Sequence, residues 1–236
     1  MERKFIFSID EFYHVYNRGI EKRKIFVKPA DYERFIKLLY LCNGTEPIVT
    51  KLVQGLPPDD LFSLKVGNKI VDIGAYCLMP NHFHLLLKER VENGISIFML
   101  KLLTGYSMYF NKKYKRTGQL FEGTFKANHL GDDNYLKYMY AYIHLNPIKL
   151  IDSKWKERGI NNAKKAKSYL LIYKYSSYLD YITAGRAEGR ILNKRAFPEY
   201  FSGKKEFKDF TDDWLNYKDE GEEVLNIPTP RITLGK

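Results

Sequence analysis

The stretch Leu78-Met-Pro-Asn-His82-Phe-His84-Leu-Leu-Leu-Lys88 decides how the chain is read. Pro80-Asn81 is a turn signal, because proline presets its own φ and asparagine tolerates tight-turn backbone. Phe83 to Leu87 then reads as a buried strand entered directly from the turn. Side chains alternate along a strand, so His82, His84 and Leu86 share one face while Phe83, Leu85 and Leu87 take the other. Two imidazoles two residues apart on one face can bind one metal ion, and the apolar residue between them anchors the strand. A bare His-x-His also arises by chance, so its weight depends on what else the chain carries.

Upstream, Lys69 to Leu78 is a strand that the turn folds back onto the histidine strand. Glu11 to Arg18 alternates and is rich in β-formers, which makes it a first strand. His14 shares a face there with Phe12 and Tyr16; it could approach a metal held by the histidine strand, but the preferred reading is a satisfied core or surface histidine. Lys28-Pro-Ala-Asp31 opens a helix with a broad apolar face that stops near Asn43-Gly44. Pro47, Gly55, Pro57 and Pro58 then break any long element up to about Asn68, leaving room for a short helix at Asp59 to Leu64.

Downstream, Glu92 to about Tyr114 is the longest helical pattern, with Ile95, Phe98, Met99, Leu102, Leu103, Tyr106, Tyr109 and Phe110 at helical spacing. Lys112, Lys113, Lys115 and Arg116 follow, then a loop and strand across Gln119 to Leu130. Asp132-Asp133 caps a helix from Asn134 to about Leu145, which Pro147 ends. Tyr138, Tyr142 and Asn146 lie one turn apart along one stripe of it. A basic stretch from Lys149 to Lys167 follows, then Tyr173 to Tyr178, a short helical piece to Thr183, and two small helices at Leu192 to Phe201 and Glu206 to Tyr217. The tail from Asp219 is acidic. A boundary near residue 152 separates a first domain, 1–152, from a basic linker and small helical extension, 153–236.

The 236 residues suit one compact domain with an appendage, or two small domains. No apolar run reaches membrane-spanning length, and the start shows no secretory signal. Cys42 and Cys77 read as buried reduced thiols of a cytosolic protein. The charge says more. Lys and Arg number 39 against 28 acids, a net +11, and 15% of residues are aromatic, with 19 tyrosines. A positive surface attracts polyanions and flat rings stack on unpaired bases, so nucleic acid is the leading partner class.

Met-Pro-Asn-His82-Phe-His84-Leu-Leu-Leu, followed by Tyr142-Ile-His-Leu-Asn146-Pro147, resembles the single-tyrosine HUH transposases of the IS200-like superfamily. It is most similar to the branch of REP-associated tyrosine transposases. Tyr13-His-Val-Tyr-Asn-Arg18-Gly, Tyr109-Phe-Asn-Lys-Lys-Tyr, Gly118-Gln-Leu-Phe-Glu-Gly-Thr-Phe-Lys126 and Tyr175-Ser-Ser-Tyr178 match in order, over roughly residues 11 to 180. The ordered set is far more specific than any one member.

The resemblance implies an α+β, ferredoxin-like fold: an antiparallel sheet with helices packed on one face, the histidines on a central strand and the tyrosine on a facing helix. It also implies metal ligands at His82, His84 and Asn146, a nucleophile at Tyr142, and Mg²⁺ or Mn²⁺ as cofactor. The expected activity is cleavage and rejoining of single-stranded DNA through a 5′-phosphotyrosine, at a hairpin with a short single-stranded guide. Residues expected to touch DNA are Arg18, Lys112, Lys113, Lys115, Arg116 and Lys126. The expected setting is the cytoplasm, at the nucleoid, and a homodimer in which Tyr142 serves either subunit is allowed. The alternative is a nucleic-acid-binding protein of the same fold without catalysis. A relaxase or replication initiator ranks lower, because a helicase module is missing from the sequence.

Overall fold

The computed structural model describes residues 6–47, 53 and 55–216. Strands β1 (Phe12–Arg18), β2 (Val71–Met79), β3 (His82–Glu89) and β4 (Lys126–His129) form one antiparallel sheet in the order β2-β3-β1-β4. Helix α1 (Pro29–Leu41) connects β1 to β2, and α2 (Gly94–Lys113) connects β3 to β4. This βαββαβ succession with the two histidine-region strands inside is the expected ferredoxin-like arrangement. Pro80-Asn81 makes the expected turn between β2 and β3.

Alternation sorts the sheet into two faces. Tyr13, Val15, Phe83, Leu85 and Leu87 pack with Phe35, Leu38 and Leu39 of α1 and Phe98, Met99, Leu102 and Tyr106 of α2. The other face carries Ala75, Cys77, Met79 and Leu86, covered by Leu136, Met139, Tyr140 and Ile143 of α3 (Asp133–His144). A bulge at Gly74 makes this division possible in β2. The register shifts between Ile73 and Ala75, so Ile73 pairs with Leu87 on the first face and Ala75 with Leu86 on the second.

The C-terminal part supplies α4 (Ala163–Ile172), α5 (Tyr178–Ile182) and α6 (Lys204–Asn216). It also closes the outer edge of β2, whose unpaired backbone groups would otherwise invite another strand. Leu78 N–H donates to the Tyr175 carbonyl at 3.0 Å, Ser177 N–H to that of Tyr76 at 3.0 Å, and Asn193 N–H to that of Ile73 at 3.0 Å. The Tyr181 hydroxyl donates to the Gly74 carbonyl at 2.7 Å. The motif Tyr175-Ser-Ser-Tyr178 is thus an edge clasp.

Two segments differ from expectation. Residues 163–172, within what reads as a basic linker, form α4, with the Asn162 side chain accepting from Lys165 N–H at 2.8 Å and Ala166 and Leu170 buried. Conversely, residues 192–201 are not a regular helix but a single turn at Lys194–Ala196 between extended residues. Phe197 precedes Pro198, whose ring pushes it to φ −114°, ψ 155°. The expected tail from Asp219 lies outside the described residues.

Candidate active site

Strand register assembles the site. Arg18 stands opposite His82, Tyr16 opposite His84 and His14 opposite Leu86, while Tyr16 and His14 face Lys126 and Asn128 on the other side. Directly opposed residues share a face, so His82, His84, His14, Tyr16, Arg18, Lys126 and Asn128 all project toward the side covered by α3. That helix begins where the Asp132 carboxylate accepts Tyr135 N–H at 2.8 Å, satisfying an otherwise unpaired donor. Its apolar side docks on the sheet and so presents Tyr142 to the histidines. The Tyr142 ring stands edge-on to His84 at 5.5 Å and to His14 at 5.6 Å between centroids.

The histidines are held by distinct partners. His82 Nδ1 lies 2.7 Å from Asn81 Oδ1, and its ring is 5.0 Å from that of His84. His84 Nδ1 lies 2.9 Å from Nε2 of His14, and both rings are essentially buried. His14, for which the sequence favours a satisfied core or surface residue over an approach to the histidine site, is both buried and part of this cluster. The pairing of β1 with β3, which joins residues seventy positions apart, is what brings it there.

Helix α3 ends at His144, one residue short of the expected end, and residues 146–150 continue as a tighter turn. Asn146 is buried in that turn. Its side-chain N–H donates to the Tyr142 carbonyl at 2.7 Å, and its Oδ1 has no hydrogen-bond partner. Burial pushes the Tyr142 hydroxyl well above the usual phenol range, and the neighbouring Tyr138, Tyr16 and Tyr135 add to it. Tyr138, 6.1 Å away on the same stripe, is itself raised to about 12 by burial and rests against Trp214 of α6.

His144 points away from this cluster. Its Nδ1–H donates to the Tyr140 carbonyl at 2.8 Å and its Nε2 meets Ser177 Oγ at 2.8 Å. Ser177 Oγ also accepts Tyr76 N–H at 2.9 Å, so one serine ties the tyrosine helix to β2. Burial drives the His144 imidazole down to about 3, which keeps it neutral.

Of the expected phosphate contacts, Arg18 and Lys126 lie on the histidine face. Arg18 chelates Glu122 through Nε and Nη2, the latter bond measuring 2.9 Å. Arg18, with Lys126 and Lys22 nearby, holds the Glu122 carboxyl below its ordinary range. Lys112, Lys113, Lys115 and Arg116 are at the end of α2, on the opposite face of the sheet. Lys113 is 2.5 Å from the buried Asp31 carboxylate, which also accepts from Tyr114 and Tyr109 hydroxyls. Arg116 packs over Phe110. The Tyr106 hydroxyl of α2 bonds the Ile25 carbonyl, and Ile25 N–H donates to Pro80. The basic helix end therefore sits at the end of the sheet where β3 starts with His82.

Residues 59–146 match the family model of "Transposase IS200 like", a span that holds both histidines, the tyrosine and Asn146. Over that span the chain is similar to the IS200-like transposases. Outside it, the structural likeness is broader: the chain is similar to a REP-associated tyrosine transposase solved bound to a REP hairpin. The TM-score is 0.50 at 10% identity, over 95% of this chain and 99% of that one. At that identity the likeness shows a shared fold, and it extends well beyond the span matched by the family model. No curated protein matches the sequence. No helix among the described residues is long and apolar enough to cross a membrane.

Proposed function

We propose that the chain cleaves and rejoins single-stranded DNA, with Tyr142 as nucleophile and His82, His84 and Asn146 as ligands of a divalent cation. The observation that carries the reading is the convergence of the Tyr142 ring on the face that bears both histidines. The donor set suits Mg²⁺ or Mn²⁺. Two neutral imidazoles and an amide would leave the cation's charge available to a phosphate, and the buried Asn146 Oδ1 has no competing partner. In this reading the Asn146 amide oxygen would be the third protein donor. When bound, the cation would supply Lewis-acid polarisation of a phosphoryl oxygen.

The protein's own groups perform the rest. The phenol oxygen of Tyr142 forms a bond to phosphorus as the bond to the 3′ oxygen breaks, leaving a 5′-phosphotyrosine and a 3′-hydroxyl. The phenol gives up its proton in that step and the departing 3′ oxygen gains one, so the reaction is balanced. It reverses when another 3′-hydroxyl attacks the ester, without ATP. Because the buried phenol is protonated at rest, loss of its proton belongs to the attack itself. Arg18 and Lys126 flank the site on its own face and would hold backbone phosphates, and Lys112 to Arg116 extend the positive surface at the same end. Residues 1–152 are read as the catalytic domain and 153–236 as an extension, whose described residues close β2 and back the tyrosine helix. By likeness to the hairpin-bound structure, the substrate is a single-stranded DNA carrying a hairpin.

The test is incubation with end-labelled hairpin-bearing single-stranded DNA and Mg²⁺ or Mn²⁺, resolved on denaturing gels. A covalent adduct should form, vanish in Tyr142→Phe and weaken in His82→Ala and His84→Ala. Tight binding with no adduct at any metal concentration would instead identify a non-catalytic DNA-binding protein.

A further inference from the structure

We infer that His14 is a positioning residue that fixes the tautomer and orientation of His84. The inference rests on the ligand role proposed for His84. An imidazole offers a lone pair on only one nitrogen when neutral, so whichever nitrogen binds a cation, the other must carry the proton. Here His84 Nδ1 is engaged by His14 Nε2 at 2.9 Å. With His84 Nδ1–H donating to His14, the lone pair of His84 falls on Nε2, which is then the nitrogen that would bind a cation. The opposite sense of the bond would put the proton on Nε2 and close it to metal. His14 therefore acts as acceptor.

The surroundings make His14 a firm reference for this contact. It lies on β1, which is paired on both sides, by β3 and by β4, and its side chain is fully buried. Its ring stacks at 4.9 Å on Tyr16 and at 5.1 Å on His84, both inclined 22°, while Tyr142 closes edge-on at 5.6 Å. One side chain thus touches a ligand ring and the nucleophile ring together. A leucine at this position would supply no acceptor.

The experiment compares full-length wild type, His14→Gln and His14→Leu. Gln keeps an acceptor near the position of Nε2, and Leu removes it. Proteins labelled with ¹⁵N-histidine are examined by two-bond ¹H–¹⁵N correlation at pH 8, with the His84 signals assigned by their loss in His84→Ala. Wild type and His14→Gln should show His84 protonated on Nδ1; His14→Leu should shift it toward Nε2–H, with Mn²⁺ affinity by EPR falling about 10–100-fold. Protonation of His84 on Nε2 in wild type would overturn the inference. So would a His14→Leu protein that keeps both the tautomer and the Mn²⁺ affinity. Should His14→Leu fail to fold, His14→Gln decides, since loss of the Nδ1–H form there contradicts the acceptor role. A wild type that binds no Mn²⁺ would refute the cation reading of the site, while the nitrogen spectra would still decide what His14 does.

Discussion

Acid should loosen this protein through His144, a residue that takes no part in the chemistry. His144 is fully buried, spends Nδ1–H on the Tyr140 carbonyl and Nε2 on Ser177 Oγ, and has its pKa lowered from 6.5 to about 3 by burial. In the unfolded chain the imidazole takes a proton below pH 6.5, and in the native fold it does not. Its contribution to stability is therefore intact above pH 6.5 and is lost progressively as the pH falls from 6.5 toward 3. With the unfolded state protonating alone, the loss is on the order of 3 kcal/mol at pH 4.5. Carboxylates also titrate in this range, so the comparison needs His144→Gln, whose amide can still meet Ser177. Urea unfolding of both proteins from pH 7.5 to 4.5 should show the wild-type curve falling faster, the gap between them closing by about 1.4 kcal/mol per pH unit below 6.5. Parallel pH profiles would refute the claim that a neutral buried histidine joins the tyrosine helix to β2.

Three further perturbations bear on other parts of the molecule. Lys126→Ala should weaken single-stranded DNA binding and lower the slope of log K against log salt by about 0.7, as read by fluorescence anisotropy at several salt concentrations. Asp31→Asn should cost about 3–5 kcal/mol in urea unfolding, because the buried carboxylate accepts Val27 and Lys28 N–H at 2.9 and 2.8 Å as well as pairing with Lys113. Gly74→Ala should destabilise by about 1–3 kcal/mol, since the added methyl would stand 2.8 Å from the Phe197 ring; limited proteolysis should then release the C-terminal part first.

Local pattern made much of this legible. The alternation around His82 and His84, the turn at Pro80-Asn81 and the helical stripe of Tyr138 and Tyr142 are all short-range signals, and each sits as the residues suggest. What pattern does not carry is partnership between distant strands. His14 joins the site only because β1 pairs with β3, and Arg18 meets Glu122 across 104 positions. The Ser177 hydroxyl likewise finds Tyr76 and His144 through the fold rather than through spacing. Helix α4 was obscured by its own composition, since its lysines project outward while only Ala166 and Leu170 are buried. The stretch 192–201 misleads in the other direction: its apolar residues are spaced as in a helix but serve to cover β2 and the bulge at Gly74.

The most direct test of the central claim is mass spectrometry of the trapped protein–DNA complex after nuclease and trypsin digestion. The phosphonucleotide should ride on the peptide Tyr138–Lys149, and fragmentation should place it on Tyr142 rather than on Tyr138 or Tyr140. Modification of either of those, or an unmodified peptide under conditions where the DNA is cut, would contradict the account.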